Sequence, residues 1–452
     1  NALWSLRNDQ RPKIIIQHMG ETMSEDKFDV IIVGGGVAGL SAAIVLAEND
    51  LEVMLVERGD YCGAKNVTGG RLYGHSLEKI IPNLAEEAPI ERKVVKEKIS
   101  MMSEKSSFDI GFSSKALGKD KDSSYVVLHS KFDQYLADKA EEAGVSIISG
   151  VLVEKLLVED GKVVGIDATG EEVFADVVII ADGVNSLLSQ QLGIKKELEP
   201  HQVAVGAKEV IELSEEIINE RFNLESDEGM SWLSCGDPTI GGFGGGFIYT
   251  NKDSISIGVV ATLSDIGYAN TKINDLLERF KEHDNVAPFI KGGKTIEYSA
   301  HLVPEEGIHM IPELYGDGFL VVGDAAGFCV NLGYTVRGMD FAIESGRLAA
   351  LSIIASKEKE DFSKESLSIY KKLLEDSFIM KDLNTFKAFP TILSRREIFK
   401  DFPEIINDVA ERAFKVNGED SKGFIMGTVN DLASRMSATQ LSNFISAVME
   451  AL

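Results

Sequence analysis

FDVIIV, residues Phe28–Val33, runs directly into GGGVAG, residues Gly34–Gly39, and this stretch decides the fold. The first part is almost entirely apolar, which is typical of a strand buried on both faces. The glycines lead into Leu40–Glu48, a good helix former, and Leu51–Val56 is a second apolar strand that ends at Glu57. This strand–helix–strand unit predicts an α/β fold built on a Rossmann-type domain.

The glycine spacing Gly34-x-Gly36-x-x-Gly39 indicates a dinucleotide site. Gly34 permits a tight turn, Gly36 leaves room for the pyrophosphate, and Gly39 lets the helix pack closely on the strand. Free N–H groups at Val37-Ala38 and the helix dipole attract the phosphate charge. Glu57 is placed to accept hydrogen bonds from the adenosine ribose, and its charge disfavours the ribose phosphate of NADP. We therefore expect FAD or NAD.

The sequence resembles the glutathione-reductase-like flavoprotein superfamily in four segments, which occur in the family's order. Glu57-Arg58-Gly59 continues the second strand, and Asn66–Arg71 (NVTGGR) resembles the segment that returns to the flavin. Val177–Gly183 resembles the strand and loop over the adenine side, and Phe319–Asp324 resembles the strand whose aspartate binds the ribityl chain. The resemblance implies FAD. The further positions that we assign to it are Arg58, Asn66, Gly69, Gly70, Arg71, Val153, Ala181, Asp182, Gly183, Gly323 and Asp324.

A closer resemblance extends from residue 23 to about residue 400. The segments 63–73, 244–251, 292–301 and 333–340 are similar to the electron-transfer flavoprotein:quinone oxidoreductase family, and to its FixC branch in particular. Membership implies an FAD enzyme that takes electrons from an electron-transfer flavoprotein and sends them toward a quinone. In the FixC branch it also implies a complex with that flavoprotein and a small ferredoxin-like iron–sulfur subunit, which can bifurcate electrons from NADH.

Two features depart from that family. Its single-chain members carry an iron–sulfur domain that needs four thiolates, whereas this chain has three scattered cysteines, Cys62, Cys235 and Cys329. We therefore expect no metal in this chain and place any cluster on the partner subunit. The second departure is His129, where the family has an arginine near the flavin phosphates. We assign Lys131 to the cofactor, but which of these two side chains meets the phosphate is open.

The flavin ring and the quinone are assigned to two further segments. Arg337 and Tyr334 are candidates to lie near the ring, with the backbone around them, although a surface ion pair is the alternative for Arg337. Aromatic residues beside the glycine cluster are candidates for a flat quinone slot, and ordinary strand packing is the alternative. The remaining ring positions are Gly333, Thr335 and Val336, and the slot positions are Phe243, Gly245, Gly246, Phe247 and Tyr249.

The predicted fold class is α/β, with a Rossmann-type FAD-binding domain, a second antiparallel-sheet (α+β) domain and a helical C-terminal region. Strand signals flank the turn Asp160-Gly161, and alternating strands follow residue 190. We expect an extension or tag at 1–22, the FAD domain at 23–190 with part of the second domain inserted near 75–125, the substrate or quinone domain at 191–305, a return to the FAD domain at 306–350, and helices at 351–452.

The formal net charge is −26, which argues against nucleic acid as a partner. We expect a cytoplasmic protein, with peripheral contact at the inner face of the cell membrane as an open alternative. Three rival functions remain: a geranylgeranyl-reductase-like flavoprotein that reduces isoprenoid double bonds, a flavin monooxygenase, and a non-catalytic docking subunit.

Overall fold

The computed structural model describes residues 27–65, 70–118 and 123–416, together with Gly418, Gly423 and Gly427. Its strands form two large sheets and one short hairpin, and the predicted fold class is confirmed. The strands are β1 (Phe28–Val33), β2 (Val53–Glu57), β3 (Gly70–Tyr73), β4 (Ile90–Met102), β5 (Ser107–Ser113), β6 (Ser124–Val127), β7 (Ser146–Ser149), β8 (Val153–Glu159), β9 (Lys162–Ala168), β10 (Glu171–Ile180), β11 (Val203–Glu212), β12 (Glu228–Gly236), β13 (Gly244–Thr250), β14 (Ser254–Thr262), β15 (Lys294–Pro304), β16 (Tyr315–Gly316), β17 (Phe319–Val321), β18 (Val330–Asn331) and β19 (Val336–Arg337).

The first sheet has the order β16-β17-β10-β1-β2-β7, and β17, β10, β1, β2 and β7 run parallel. The fully buried residues Ile31 and Ile32 place β1 at its centre, as their apolar run predicts. The β8–β9 hairpin extends β10 at one end, and its turn at Asp160-Gly161 has the positive φ angles of 48° and 85°. The carboxyl ends of the parallel strands form the edge at which a dinucleotide binds in this architecture.

The second sheet has the order β15-β11-β14-β13-β12-β4-β6-β3, with β5 paired to β4. Its strands come from two separated parts of the chain, 70–127 and 203–304. The sheet is mixed and not purely antiparallel, because β4 runs parallel to β12. One face is covered by apolar side chains that include Trp232, Ile248 and Phe280. Residues on the opposite face, such as Phe247 and Tyr249, turn away from that core.

Helices cover the first sheet and make up most of the described chain after Gly338. The first helix packs against the longest one so closely that a Cβ on Gly346 would lie 2.2 Å from the carbonyl oxygen of Ala38. The helices are α1 (Val37–Ala47), α2 (Leu84–Glu87), α3 (His129–Glu142), α4 (Leu187–Gln191), α5 (Glu215–Phe222), α6 (Leu263–Ala269), α7 (Ile273–Glu282), α8 (Ala287–Ile290), α9 (Met339–Lys357), α10 (Lys364–Leu367), α11 (Ile369–Asp376), α12 (Phe378–Thr385), α13 (Phe389–Leu393) and α14 (Phe402–Phe414). Among the described residues, no helix combines the length and apolar content needed to span a bilayer.

Candidate functional site

The turn between β1 and α1 has the tight geometry that its glycines predict. Gly34 has φ +114°, and its N–H donates to the Val56 carbonyl oxygen at 2.9 Å. A Cβ on Gly34 would lie 2.2 Å from the carbonyl oxygen of Ala181, and a Cβ on Gly39 would lie 2.1 Å from the carbonyl oxygen of Gly34. The turn, the helix and the neighbouring strand end are therefore in direct backbone contact. This leaves the N-terminus of α1, at Val37 and Ala38, facing the edge of the sheet.

Glu57 is buried at the end of β2 and organises the same turn. Its two carboxylate oxygens accept hydrogen bonds from the N–H groups of Gly35, at 2.8 Å, and Gly59, at 2.6 Å. Each oxygen retains acceptor capacity, so the ribose contact expected of Glu57 stays a prediction. Arg58 beside it is exposed, and Val153, at the start of β8, is buried.

The loop after β10 contains Asp182, whose carboxyl group is only partly hydrogen-bonded within the described part of the chain. Asp182 Oδ2 accepts from the N–H of Leu188 at 3.1 Å, whereas Oδ1 has no hydrogen-bond partner among the described residues. Burial raises the pKa of Asp182. Ala181, Asp182 and Gly183 lie directly against the β1–α1 turn, through the contact of Ala181 with Gly34. A buried carboxyl oxygen left open beside a dinucleotide loop fits a polar cofactor.

Asp324 and Gly323 approach the same place from the other side. A Cβ on Gly323 would lie 2.9 Å from Cβ of Ala38, at the start of α1. Burial raises the pKa of Asp324 to about 6, against the lowering effects of Lys195 and His129. This carboxyl group is therefore near the helix N-terminus and the Asp182 loop, and its contact with the ribityl chain stays a prediction.

Lys195 joins these two loops, and sequence reasoning missed it. Its ammonium group donates to the carbonyl oxygens of Val184 and Ala325, both at 3.1 Å. Burial lowers its pKa, while Asp182 and Asp324 raise it. No local motif marks this lysine, because its partners come from two strand ends that meet only in the folded protein.

His129 lies inside the site, and Lys131 points out of it. The His129 Nε2 atom would be 3.4 Å from a Cβ on Gly70, and Sδ of Met339 would be 3.3 Å from the same position. The other ring nitrogen, Nδ1, lies 3.0 Å from Asp133 Oδ1. Lys131 is 57% exposed, and its ammonium group is 3.3 Å from Glu91. Asn66 and Gly69, also assigned to the cofactor, lie outside the described residues.

Arg71 is held within the second sheet. Its guanidinium forms a two-pronged ion pair with Glu97 of β4, and its Nε donates to Ser124 Oγ at 3.1 Å. The guanidinium carbon also lies 4.7 Å from the ring centroid of Tyr73. Its charge is thus neutralised by a carboxylate, which the sequence did not predict.

Arg337 has a similar arrangement at the entrance to α9. Its Nε donates to Asp340 at 2.8 Å and its NH1 to Asp382 at 2.6 Å. The guanidinium also lies over the rings of Phe341, at 4.9 Å, and Phe378, at 5.1 Å. Because the side chain of Asp340 is fully buried, this is not the surface ion pair considered as the alternative for Arg337, and its place near the ring stays a prediction.

The hairpin before Arg337 carries the other ring candidates. Thr335 is hydrogen-bonded through its hydroxyl group to the hydroxyl group of Tyr73. Tyr334 is 59% exposed and Val336 is also exposed, while Gly333 forms the turn with its N–H donating to Asn331 at 2.9 Å. The backbone of this hairpin therefore lies near β3, and two of its side chains face solvent.

The proposed quinone slot divides into two groups. The rings of Phe247 and Tyr249 are 5.3 Å apart on one face of β13. Phe243 instead packs 5.4 Å from Phe399, in an apolar cluster with Leu393. Gly245 and Gly246 are in close contact with neighbouring groups: a Cβ on Gly245 would lie 1.9 Å from the carbonyl oxygen of Ser234, and one on Gly246 would lie 2.5 Å from the Phe280 ring.

The three cysteines are unpaired thiols. Burial raises the pKa of Cys62 and of Cys235 to about 12, and it raises that of Cys329 as well. Among the described residues, no cluster of three histidine, cysteine or carboxylate side chains has metal-ligand geometry.

Two family models match the chain. The model described as "FAD binding domain" matches residues 27–230, and the model described as "ETF-QO, ubiquinone-binding" matches residues 203–303. The second match covers β11 to β14 and most of β15, which include the strand that carries Phe247 and Tyr249.

Relatives are similar over most of their length. The chain is 49% identical to the probable electron transfer flavoprotein-quinone oxidoreductase YdiS of Escherichia coli and 48% identical to FixC of the same organism, over 88% of this chain and 92% of each relative. A solved geranylgeranyl bacteriochlorophyll reductase-like structure from Thermoplasma acidophilum has a TM-score of 0.71 at 21% identity, over 94% of this chain and 100% of that one, which reflects a shared fold. The chain belongs to the electron transfer flavoprotein-quinone oxidoreductase family, in which it resembles FixC, and it is an FAD-dependent oxidoreductase.

Proposed function

We propose that this protein accepts electrons from an electron-transfer flavoprotein and passes them through FAD to a quinone, as the FixC-like subunit of an electron-transferring complex. The observation that carries the proposal is the ubiquinone-binding family match over 203–303, because those strands place Phe247 and Tyr249 together on the face turned away from the second apolar core. The 49% identity to YdiS supports the same assignment.

The chain's own residues hold FAD at the strand ends of the first sheet. The N-terminus of α1 binds the pyrophosphate, and Glu57 accepts from the adenosine ribose. The open Oδ1 of Asp182 and the carboxyl group of Asp324 are polar partners for the extended cofactor. Bound FAD supplies the one- and two-electron chemistry, for which no protein acid or base is strictly required.

We favour His129 over Lys131 as the side chain nearest the flavin. His129 lies beside Gly70 and Met339, whereas Lys131 is bound to Glu91 at the surface. Arg71 and Arg337 position the surrounding strands and loop, since each is already paired with carboxylates. The backbone of the hairpin at 333–336, and not the exposed side chain of Tyr334, is the part we place near the ring.

We place the quinone head group against Phe247 and Tyr249. A flat ring can stack on aromatic side chains in an offset arrangement, and two rings on one strand face offer that surface. We leave Phe243 out of the quinone slot, because its ring packs against that of Phe399. Gly245 and Gly246 contribute by allowing close packing of the strand.

We further propose a complex with the electron-transfer flavoprotein and a small ferredoxin-like iron–sulfur subunit, and electron bifurcation from NADH within it.

Contact of this protein with the membrane is supported by Ile110 and Phe112, which are 52% and 60% exposed on the same face of the edge strand β5. Replacing both with serine should weaken binding to vesicles and leave FAD content unchanged, and unchanged vesicle binding would contradict this surface.

The central test mixes the protein without oxygen with reduced electron-transfer flavoprotein and a water-soluble quinone. We expect the flavin absorbance to bleach with the flavoprotein and to recover with the quinone, without NADPH. Oxidation of NADPH with a prenyl lipid would instead favour the hypothesis of a geranylgeranyl-reductase-like enzyme. That hypothesis is supported by the fold shared with the Thermoplasma acidophilum structure at 21% identity. Complex formation without any redox change would favour a docking subunit.

A further inference from the structure

Lys208 is a buried lysine on the same face as the proposed quinone slot. It lies in the middle of β11 and is 6% exposed. In the sheet it is opposite Gly258 of β14 and Ser299 of β15. A lysine is rarely buried this far without a specific role or partner. One strand, β14, separates it from β13, which carries Phe247.

The absence of a side chain at Gly258 brings Lys208 and Phe247 together. A Cβ on Gly258 would lie 2.3 Å from Cζ of Phe247 and 2.6 Å from Cβ of Lys208, so the aromatic ring lies across the glycine toward the lysine. The Lys208 ammonium group is 5.6 Å from the centroid of the Phe247 ring. A ligand that stacks on Phe247 therefore lies within reach of this ammonium group.

Several charged groups surround Lys208. Glu297 of β15 raises its pKa, but burial is the larger effect and lowers the pKa to about 7. His301 of the same strand has its pKa lowered by burial first, and then by His129, Lys208 and Arg58. A lysine in this environment exchanges its proton near neutral pH, which an exposed lysine does not.

We propose that Lys208 is the proton donor to the quinone oxygen when the quinone on Phe247 is reduced. This inference rests on the proposed function. Reduction of a quinone to a hydroquinone takes two electrons and two protons. The reduced, anionic FAD supplies both electrons and one of the protons as it returns to oxidised FAD, so one further proton is needed. One proton passes from the Lys208 ammonium group to the anionic oxygen, forming an O–H bond and leaving a neutral amine. Solvent then returns a proton to the neutral amine. The titratable side chains beside it on β15 are Glu297 and His301.

The direction of this transfer follows from ordinary acidities. The oxygen of a hydroquinone anion is a phenolate, whose conjugate acid has a pKa near that of tyrosine, about 10. A lysine whose pKa is about 7 is the stronger acid, so the proton moves to the ring oxygen. An arginine in the same position would keep the charge but cannot release a proton, because its pKa is above 12.

The test compares two acceptors in stopped-flow reoxidation of the reduced protein. A water-soluble quinone needs protons, whereas ferricenium takes one electron and no proton. In Lys208→Met we expect about 100-fold slower reoxidation by quinone, in the usual range for a lost general acid, and a wild-type rate with ferricenium. Lys208→Arg should be as slow as the methionine variant with quinone. The wild-type quinone rate should fall as the pH rises through about 7, and both variants should lose this dependence.

The matched control is Lys98→Met. Lys98 is also on the second sheet and lies over an aromatic ring, 3.6 Å from the centroid of Trp232, but it is on the opposite face. It should keep wild-type rates with both acceptors. A wild-type quinone rate in Lys208→Met, or in Lys208→Arg, would overturn the proton-donor role, as would equal losses with ferricenium. Absence of quinone-dependent reoxidation in the wild type would instead refute the proposed function.

Discussion

The Tyr73 hydroxyl group is hydrogen-bonded to the Thr335 hydroxyl group, 262 residues further along the chain. Tyr73 ends β3, and Thr335 lies between β18 and β19 just before α9. The bond therefore holds the edge of the second sheet against the loop that enters the long helix. At the other end of β3, Gly70 lies beside Met339, the first residue of that helix. Two segments assigned separately to the flavin ring thus meet through tertiary contacts.

Gly39→Ala should remove FAD, because its Cβ would lie 2.1 Å from the carbonyl oxygen of Gly34 and would force the turn open. We expect the unfolding free energy to fall by about 1–3 kcal/mol, the usual cost of overpacking. The measurement is the ratio of FAD to protein absorbance, together with urea denaturation. Gly267→Ala in α6 is the control, since its Cβ position has no atom within 4 Å apart from its chain neighbours and the helix's own backbone. A fully loaded Gly39→Ala protein would contradict the assignment.

Local sequence patterns were sufficient to predict the strand and the helix on either side of the glycine turn at 34–36. The structure has β1 at Phe28–Val33, with the bounds expected from its apolar run, and α1 begins three residues earlier than expected, at Val37. The Asp160-Gly161 turn also forms as expected, with both φ angles positive. These features depend on neighbours in sequence, so periodicity and turn chemistry specify them.

The roles of the cations could not be predicted in the same way. Arg71 was assigned to the cofactor, but its partner Glu97 is 26 residues away. Arg337 was assigned to the ring, and it pairs with Asp340, three residues on, and with Asp382, 45 residues away. An arginine that has no carboxylate near it in sequence can still be neutralised by one in space. Lys195 and Lys208 were missed for the converse reason, since nothing in the neighbouring sequence marks a lysine that folding buries.

Arg337→Ala should destabilise the protein more than it changes the flavin. Asp340 has a fully buried side chain, and removing its arginine leaves that carboxylate with His75 at 3.2 Å. Breaking a buried ion pair costs about 3 kcal/mol, which urea denaturation measures. The control Lys371→Ala removes an exposed pair with Glu375 and should cost less than about 1 kcal/mol. A large fall in flavin potential with unchanged stability would instead place Arg337 at the ring.

Asp324 gives the FAD-free protein a defined pH dependence. Its pKa is raised from 3.8 to about 6 by burial, so between these values the folded state binds more protons than the unfolded state. The contribution of Asp324 to the free energy of unfolding therefore falls as the pH rises from about 4 to 6. At 1.36 kcal/mol per pKa unit, the fall is up to about 3 kcal/mol. Asp324→Asn should remove this component, as measured by urea denaturation of both apoproteins from pH 4 to 7. Parallel pH curves would contradict it.

The isolated chain should contain no iron. An iron–sulfur cluster needs four protein ligands, normally thiolates, whereas this chain has three scattered cysteines. Burial raises the pKa of Cys62 and of Cys235 to about 12. Cys329 is shifted in the same direction. We expect no stoichiometric iron or sulfide by elemental analysis, and we expect FAD to remain after replacement of all three cysteines with serine. Iron that is present in the wild type and lost in that variant would refute the prediction.

Phe247 and Phe243 should respond differently to the same change, although both were assigned to one slot. Phe247→Leu removes the ring that stands 5.3 Å from Tyr249, and losing about 1 kcal/mol of stacking should raise the KM for a soluble quinone roughly 5-fold. Phe243→Leu removes a ring 5.4 Å from Phe399, so it should lower the unfolding free energy and leave the KM unchanged. Steady-state kinetics and urea denaturation of both variants separate the two effects. Because each variant serves as the control for the other, a raised KM in Phe243→Leu alone would move the quinone from β13 to the cluster around Phe399.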